Sequence, residues 1–255
     1  MFRKADSLAV SGNMTGSAVE YERIVFFSDD ADSKREAIYK KALTYKNAGK
    51  YEKASVTLER LNIRNPEDTL FAQKNYQLAF CQYMNGNYND AINTIELYEA
   101  ISSKENTIKP KILTIKIFCY NHLFEFDKAN ETLTKLEKLS NTNGNFQEIK
   151  NMYVNSPKYK NPEKARHLSL LPGLGQVYCG EIVEGSFNFL LNASALGFGA
   201  WQVWNGYYFT GYVVGVTLLQ KFHSGGQHRA EIIAREKNIE NASEFNRKII
   251  QKFDF

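Results

Sequence analysis

Charge is missing from this chain over one long stretch. From Ser186 to Gln220, 35 consecutive positions carry no Asp, Glu, Lys or Arg. About 20 apolar residues span a bilayer, so this stretch is too long for one crossing and tight for two. Proline is scarce, with five in 255 residues, while Lys, Glu, Ala, Leu and Tyr are abundant. That balance favours helix. Only three cysteines occur, Cys81, Cys119 and Cys179. They form no CxxC pair and have no His at ligand spacing, which argues against zinc, and their odd number argues against a disulfide framework. Each reads as a small buried hydrophobe. A net charge of +4 is too mild for the dense basic face that nucleic acid requires. Residues 1–30 hold no secretory apolar run. With no catalytic triad, metal cluster or phosphate loop, the sequence predicts no enzyme activity, cofactor, metal or small-molecule substrate.

What is present is a repeat. Gly49-Lys-Tyr51-Glu-Lys-Ala54 and Gly86-Asn-Tyr88-Asn-Asp-Ala91 both read G-x-Y-x-x-A. Weaker copies are Gly12-x-Met14-x-x-Ser17 and Phe124-x-Phe126-x-x-Ala129, so the last positions fall at 17, 54, 91 and 129. The period of 37 to 38 slightly exceeds the 34 of the tetratricopeptide repeat, which the pattern resembles. In such a unit the glycine closes helix A. The aromatic packs back and the small residue lets helices A and B approach. Ala42 and Ala79, each twelve before the motif alanine, supply the matching contact, and Pro66, twelve after Ala54, is expected to end helix B. Helices B are predicted at 52–64, 89–101 and 127–139, with Leu58, Leu61, Ile95, Tyr98, Leu133 and Leu136 at i, i+3 apolar spacing. Cys81 and Cys119 take equivalent sites in successive A helices. Asn62–Asp68, Ser102–Lys109 and Asn141–Asn145 read as polar connectors.

One stripe of each A helix in such an array faces a groove. By register it contains Tyr39, Leu43 and Lys46, then Tyr76, Phe80 and Tyr83, then Phe118 and Asn121. An aromatic groove suits an extended or helical peptide of a protein partner. The alternative places several of these rings in the core between repeats. The basic residues do not pair into a carboxylate clamp.

Ser156–His167, SPKYKNPEKARH, has two prolines and a net charge of +3 and reads as a basic linker. Its charge suits anionic headgroups. Pro172-Gly173-Leu174-Gly175-Gln176, Tyr178, Gly180 and Gly185 follow. This run resembles the PGxGQxYxGxxxxG signature at the head of TM2-like membrane hairpins, which bacteria, notably Bacteroidetes, join to tetratricopeptide repeats. The resemblance implies a two-helix membrane module without enzymatic activity. The glycines permit close backbone approach. Backbone broken at membrane depth must be buried in protein or face water. The Gly-x-Gly is not a nucleotide loop, because the third glycine is misplaced, no strand precedes it and no Gly-Lys-Ser/Thr follows. Glu181 and Glu184 read as headgroup-level surface residues. Spans are predicted at 185–204 and 206–222, turning at Asn205-Gly206. Small residues recur along both, and Trp201, Trp204, Tyr207 and Tyr208 form an interfacial belt. His223 and His228 are awkwardly spaced for a metal.

The predicted fold is all-α: tetratricopeptide-like repeats over 1–155 as an α-solenoid of about four helix pairs, the linker at 156–167, a transmembrane hairpin at 168–222 and an amphipathic helix at 223–255. The expected function is a membrane-anchored interaction scaffold that contacts a protein partner and lipid. The alternatives are a membrane enzyme or transport component using the Pro-Gly-Gln segment, and a soluble adaptor whose apolar hairpin is core. Basic residues on both flanks of the hairpin place the repeats on the cytoplasmic side of a bacterial inner membrane. A removed signal peptide would place them in the periplasm.

Overall fold

The computed structural model describes residues 2–63, 65–102, 107–139 and 145–253, and every regular element among them is helical. The predicted connectors therefore lie partly outside the described residues, at 103–106 and 141–144. The chain divides into two compact units: Met1–Asn155 with Ile249–Phe255, and Ser156–Lys248.

The first unit is a run of helices α1 (Phe2–Val10), α2 (Met14–Phe27), α3 (Ala31–Asn47), α4 (Tyr51–Glu59), α5 (Thr69–Met84), α6 (Tyr88–Ile101), α7 (Lys109–His122), α8 (Phe126–Leu139) and α9 (Phe146–Val154). Each packs on the next, and the A helices α5 and α7 also touch. That is the pattern of a solenoid, in which each unit buries its apolar face on its neighbours.

All four copies of the predicted motif occupy one geometry. Gly12, Gly49, Gly86 and Phe124 have φ of +82°, +69°, +80° and +60°, and Phe124 is the only described non-glycine residue with positive φ. The turn at Gly49 is closed by two backbone bonds. Gly49 N–H donates to the Lys46 carbonyl, and Lys50 N–H donates to that of Tyr45, each at 2.9 Å. The same pair recurs at Gly86–Asn87 and at Phe124–Glu125, as in the helix-ending Schellman motif. Ser17, Ala54, Ala91 and Ala129 are all fully buried. Ala42 and Ala54 meet in one core cluster with Leu58, Leu61, Leu78 and Cys81.

One boundary differs from expectation. Helix α4 stops at Glu59, not at 64, and Pro66 lies in the turn beyond it. Leu61 and Ile63 remain buried outside the helix, so apolar spacing overstated its length. Asp68 then caps α5 by accepting from the Leu70 N–H at 2.9 Å.

The second unit holds α10 (Pro162–Leu168), α11 (Leu174–Cys179), α12 (Ile182–Trp204), α13 (Tyr208–Thr210), a π-helical turn at Gly211–Gly215 and α14 (Val216–Ile250). Three expectations are corrected here. No helix among the described residues is long and apolar enough to cross a membrane, so the two predicted spans are not found as such. Asn188, Asn192, Gln202 and three glycines dilute α12, and Lys221 cuts short the apolar start of α14. Secondly, no separate helix begins at 223. Helix α14 runs unbroken through Gly225-Gly226, where a Cβ on Gly226 would lie 2.4 Å from the Asn188 side chain. These glycines serve a close approach, not a break. Thirdly, the predicted linker is folded into the unit. The Asn238 amide brackets Lys160, accepting from its N–H at 2.8 Å and donating to its carbonyl at 2.7 Å.

Candidate functional site

Two surfaces carry the predicted residues, one in each unit. In the first unit, Tyr39, Leu43, Lys46, Tyr76, Phe80 and Tyr83 are partly buried on α3 and α5. The Lys46 ammonium lies 5.6 Å from the Phe80 ring centre and donates to Gln77 Oε1 at 2.9 Å. Phe80 also touches Tyr51 and Tyr76. Burial raises the pKa of Tyr39 and of Tyr76. A second ring cluster joins Tyr83 to Phe118, Tyr88 and His122, with His122 stacked on Tyr88 at 4.4 Å and 5°. The Tyr83 hydroxyl lies 3.3 Å from His122 Nε2. Burial pushes the His122 imidazole down to about 4, so it is neutral at physiological pH.

The stripe does not extend to Phe118 and Asn121 as predicted. Phe118 is buried, and Asn121 is fully enclosed and accepts from the Tyr153 hydroxyl at 3.2 Å. Helix α9 covers this part of α7, so Asn121 belongs to packing. Gln77, Tyr88 and His122 were missed by register alone. Tyr88 lay in the repeat motif, and His122 follows it by 34 residues in sequence, yet the two rings are in contact.

In the second unit, the signature residues hold the fold. Pro172 is partly buried and precedes Gly173, whose φ is +89°. A Cβ on Gly175 would sit 2.0 Å from Ser169 Oγ and 2.2 Å from the Ala165 carbonyl oxygen. Gln176 is 1% exposed, and its Nε2 donates to the Gly226 carbonyl of α14 at 2.9 Å. The Tyr178 hydroxyl accepts from the Asn161 N–H at 3.1 Å, and Lys160 Nζ donates to the Tyr178 carbonyl at 2.9 Å. Gly180 (φ +96°) ends α11 with the two-bond turn seen in the repeats. Gly185 meets the backbone of Gly173.

Beyond the signature, α12 packs through glycine on the π-helical turn that leads into α14. A Cβ on Gly215 would lie 2.8 Å from the Gly199 Cα. A cleft of about 410 Å³ lined by Ala195, Gly199, Val203, Gly211, Gly215 and Leu219 runs beside this crossing. The pair has small residues and the Asn192 amide inside and is apolar outside. Asn192 is 3% exposed and Asn188 faces Gly226, while Phe187, Leu190, Leu196 and Trp201 are each about 60% exposed. Trp204, Tyr207, Tyr208, Phe209 and Tyr212 are exposed at the turn. Glu184 pairs with Arg229 at 2.7 Å and Glu181 with Lys237 at 3.0 Å, so neither is a free surface carboxylate.

Residues 36–68, from α3 through α4, match the tetratricopeptide repeat family. Such a repeat implies protein partners in general. No curated protein and no solved structure matches the chain.

Proposed function

We propose that this chain is a membrane-anchored interaction protein, in which the repeats bind a protein partner and the second unit fixes that binding at a lipid surface. The observation that carries the membrane half is the apolar exterior of the α12–α14 pair: small residues and one amide inside, rings outside, with no charge from 186 to 220. An apolar helix face this large needs an apolar medium or partner to cover it. Backbone N–H groups in the turn are satisfied internally, Gly206 by Val203 and Tyr207 by Gln202, as lipid requires. The repeat match at 36–68 and the ring clusters around Phe80 and Tyr83 support the partner half.

The chain acts by binding, without catalysis of its own. The setting is a bacterial inner membrane with the repeats on the cytoplasmic side. Lys158, Lys160, Lys164 and Arg166 before the apolar stretch, and Lys221 and Arg229 after it, favour that side. The test is fractionation of cells expressing the full chain, followed by an alkaline carbonate wash. Retention in the membrane pellet supports the anchoring, and release into the supernatant refutes it. In the same cells, Phe80→Glu with Tyr83→Glu should abolish co-purification of the partner while leaving fractionation unchanged.

A further inference from the structure

The root of the hairpin contains a second cleft, of about 340 Å³, open to the surface and lined by α11, α12 and α14. One wall is apolar, made by Phe187, Leu191 and Phe222, and the other carries Gln176, Glu184, Asn188, Arg229 and Lys221. Most of the polar groups are already engaged. Gln176 gives its amide to Gly226 at 2.9 Å, and Arg229 is held by Glu184. Lys221 has no carboxylate within ion-pair distance among the described residues, and it is the first charge met after Gln220. It stands eight residues from Arg229 toward the tip, about 12 Å along the helix. A further cation, Arg166, shares a pocket of about 460 Å³ with His167 and Gln227 on α14. An unpaired ammonium between an ion-paired root and an uncharged, ring-covered tip has the order of charge found at the phosphate level of a bilayer.

We infer that this cleft holds an acidic phospholipid, with its phosphate at Lys221 and the upper part of an acyl chain against Phe187, Leu191 and Phe222. The inference rests on the membrane reading above and adds the lipid class. A zwitterionic lipid offers the same apolar chain but brings a second cation to the lysine, so the charge balance selects an anionic headgroup. The lysine stem lies along the apolar wall while its ammonium reaches the phosphate, as long basic side chains do at interfaces.

The chain supplies its own reporter, because its two tryptophans, Trp201 and Trp204, both lie at the hairpin tip. Full-length protein is titrated with vesicles of phosphatidylcholine alone and of phosphatidylcholine mixed with phosphatidylglycerol, following tryptophan emission and cosedimentation. The expected result is tighter binding to the mixed vesicles, weakened about fivefold by Lys221→Gln, the effect of one basic residue at an anionic surface. Lys221→Arg should retain it. Lys248→Gln removes the same charge from the exposed tail and should cost much less. Equal binding to both vesicle types, or an equal loss in Lys248→Gln, overturns the lipid site but leaves the membrane reading standing. Failure to bind either vesicle refutes the membrane reading and the lipid site together.

Discussion

Gly173 and Gly185 meet backbone to backbone. A Cβ on Gly173 would lie 2.3 Å from the Gly185 carbonyl oxygen, and one on Gly185 would lie 2.7 Å from that of Gly173. Neither contact ends on a flexible side chain, so no rotamer change relieves it. Gly185→Ala should therefore destabilise the second unit by about 1–3 kcal/mol, the usual cost of overpacking. Thermal unfolding followed by tryptophan emission reads this unit alone, since both tryptophans lie in it. An unshifted transition would show that these backbones do not touch.

Gln176 offers a separate test in the same unit. Its side chain is enclosed and donates to a carbonyl in the middle of α14. Gln176→Met keeps the length and removes the donor. The Gly226 carbonyl keeps its bond within α14, so the change removes one buried hydrogen bond, worth about 0.5–1.5 kcal/mol. Chemical denaturation should show a loss of this size, and a neutral result would assign the residue to shape alone.

In the repeats, Ala91 is fully buried where α5 meets α6. Ala91→Leu should lower stability by about 1–3 kcal/mol. Gly49→Ala acts differently. Nothing lies within 4 Å of the added Cβ, but φ is +69°. Only the left-handed conformation is penalised there, by about 1–2 kcal/mol. Circular dichroism melts of the two variants separate crowding from backbone strain, because Gly49→Asn should recover most of the loss while no polar substitute rescues Ala91→Leu.

His122 gives the repeats a pH signature. Burial holds its folded pKa at about 4, below the unfolded value of about 6.5. The unfolded chain therefore binds more protons between these values, and stability falls as pH drops from about 6.5 toward 4. Above that window the residue adds no pH dependence. His122→Phe should flatten this part of the stability profile in urea titrations at stepped pH. A slope unchanged from the parent would place the imidazole in water.

The thiols should be silent. Burial pushes Cys81 up to about 11 and Cys119 up to about 12, and Cys179 is buried as well. A thiol reagent at neutral pH should label none of them in folded protein and all three in denaturant. Rapid labelling of any one would contradict its burial.

Much of the first unit was legible in the sequence because the repeat ties residue type to backbone conformation. A glycine marked three of the four positive φ values, and a small residue marked each helix contact. The end of α4 was not legible, since Leu61 and Ile63 stay buried whether or not the chain is helical. Asn121 was assigned to the groove by register, but α9, which the repeat period does not encode, covers it. In the second unit, the missing charge was plain while its geometry was not. Composition alone read Ser156–His167 as a linker, because the Asn238 amide that fixes Lys160 is 78 residues away. A helix was expected to begin at 223, and only Asn188 of α12 reveals Gly226 as a contact point inside a longer one.

Phe124 carries a consequence for how such units persist. It holds the left-handed turn that Gly49 and Gly86 hold, closed by the same two backbone bonds and flanked by an edge-to-face contact with Phe126 at 5.5 Å. The shape of a helix pair can thus outlast the letters that first announce it. Counting units by residue type will undercount them, whereas the left-handed turn of the backbone still recurs four times along the first unit.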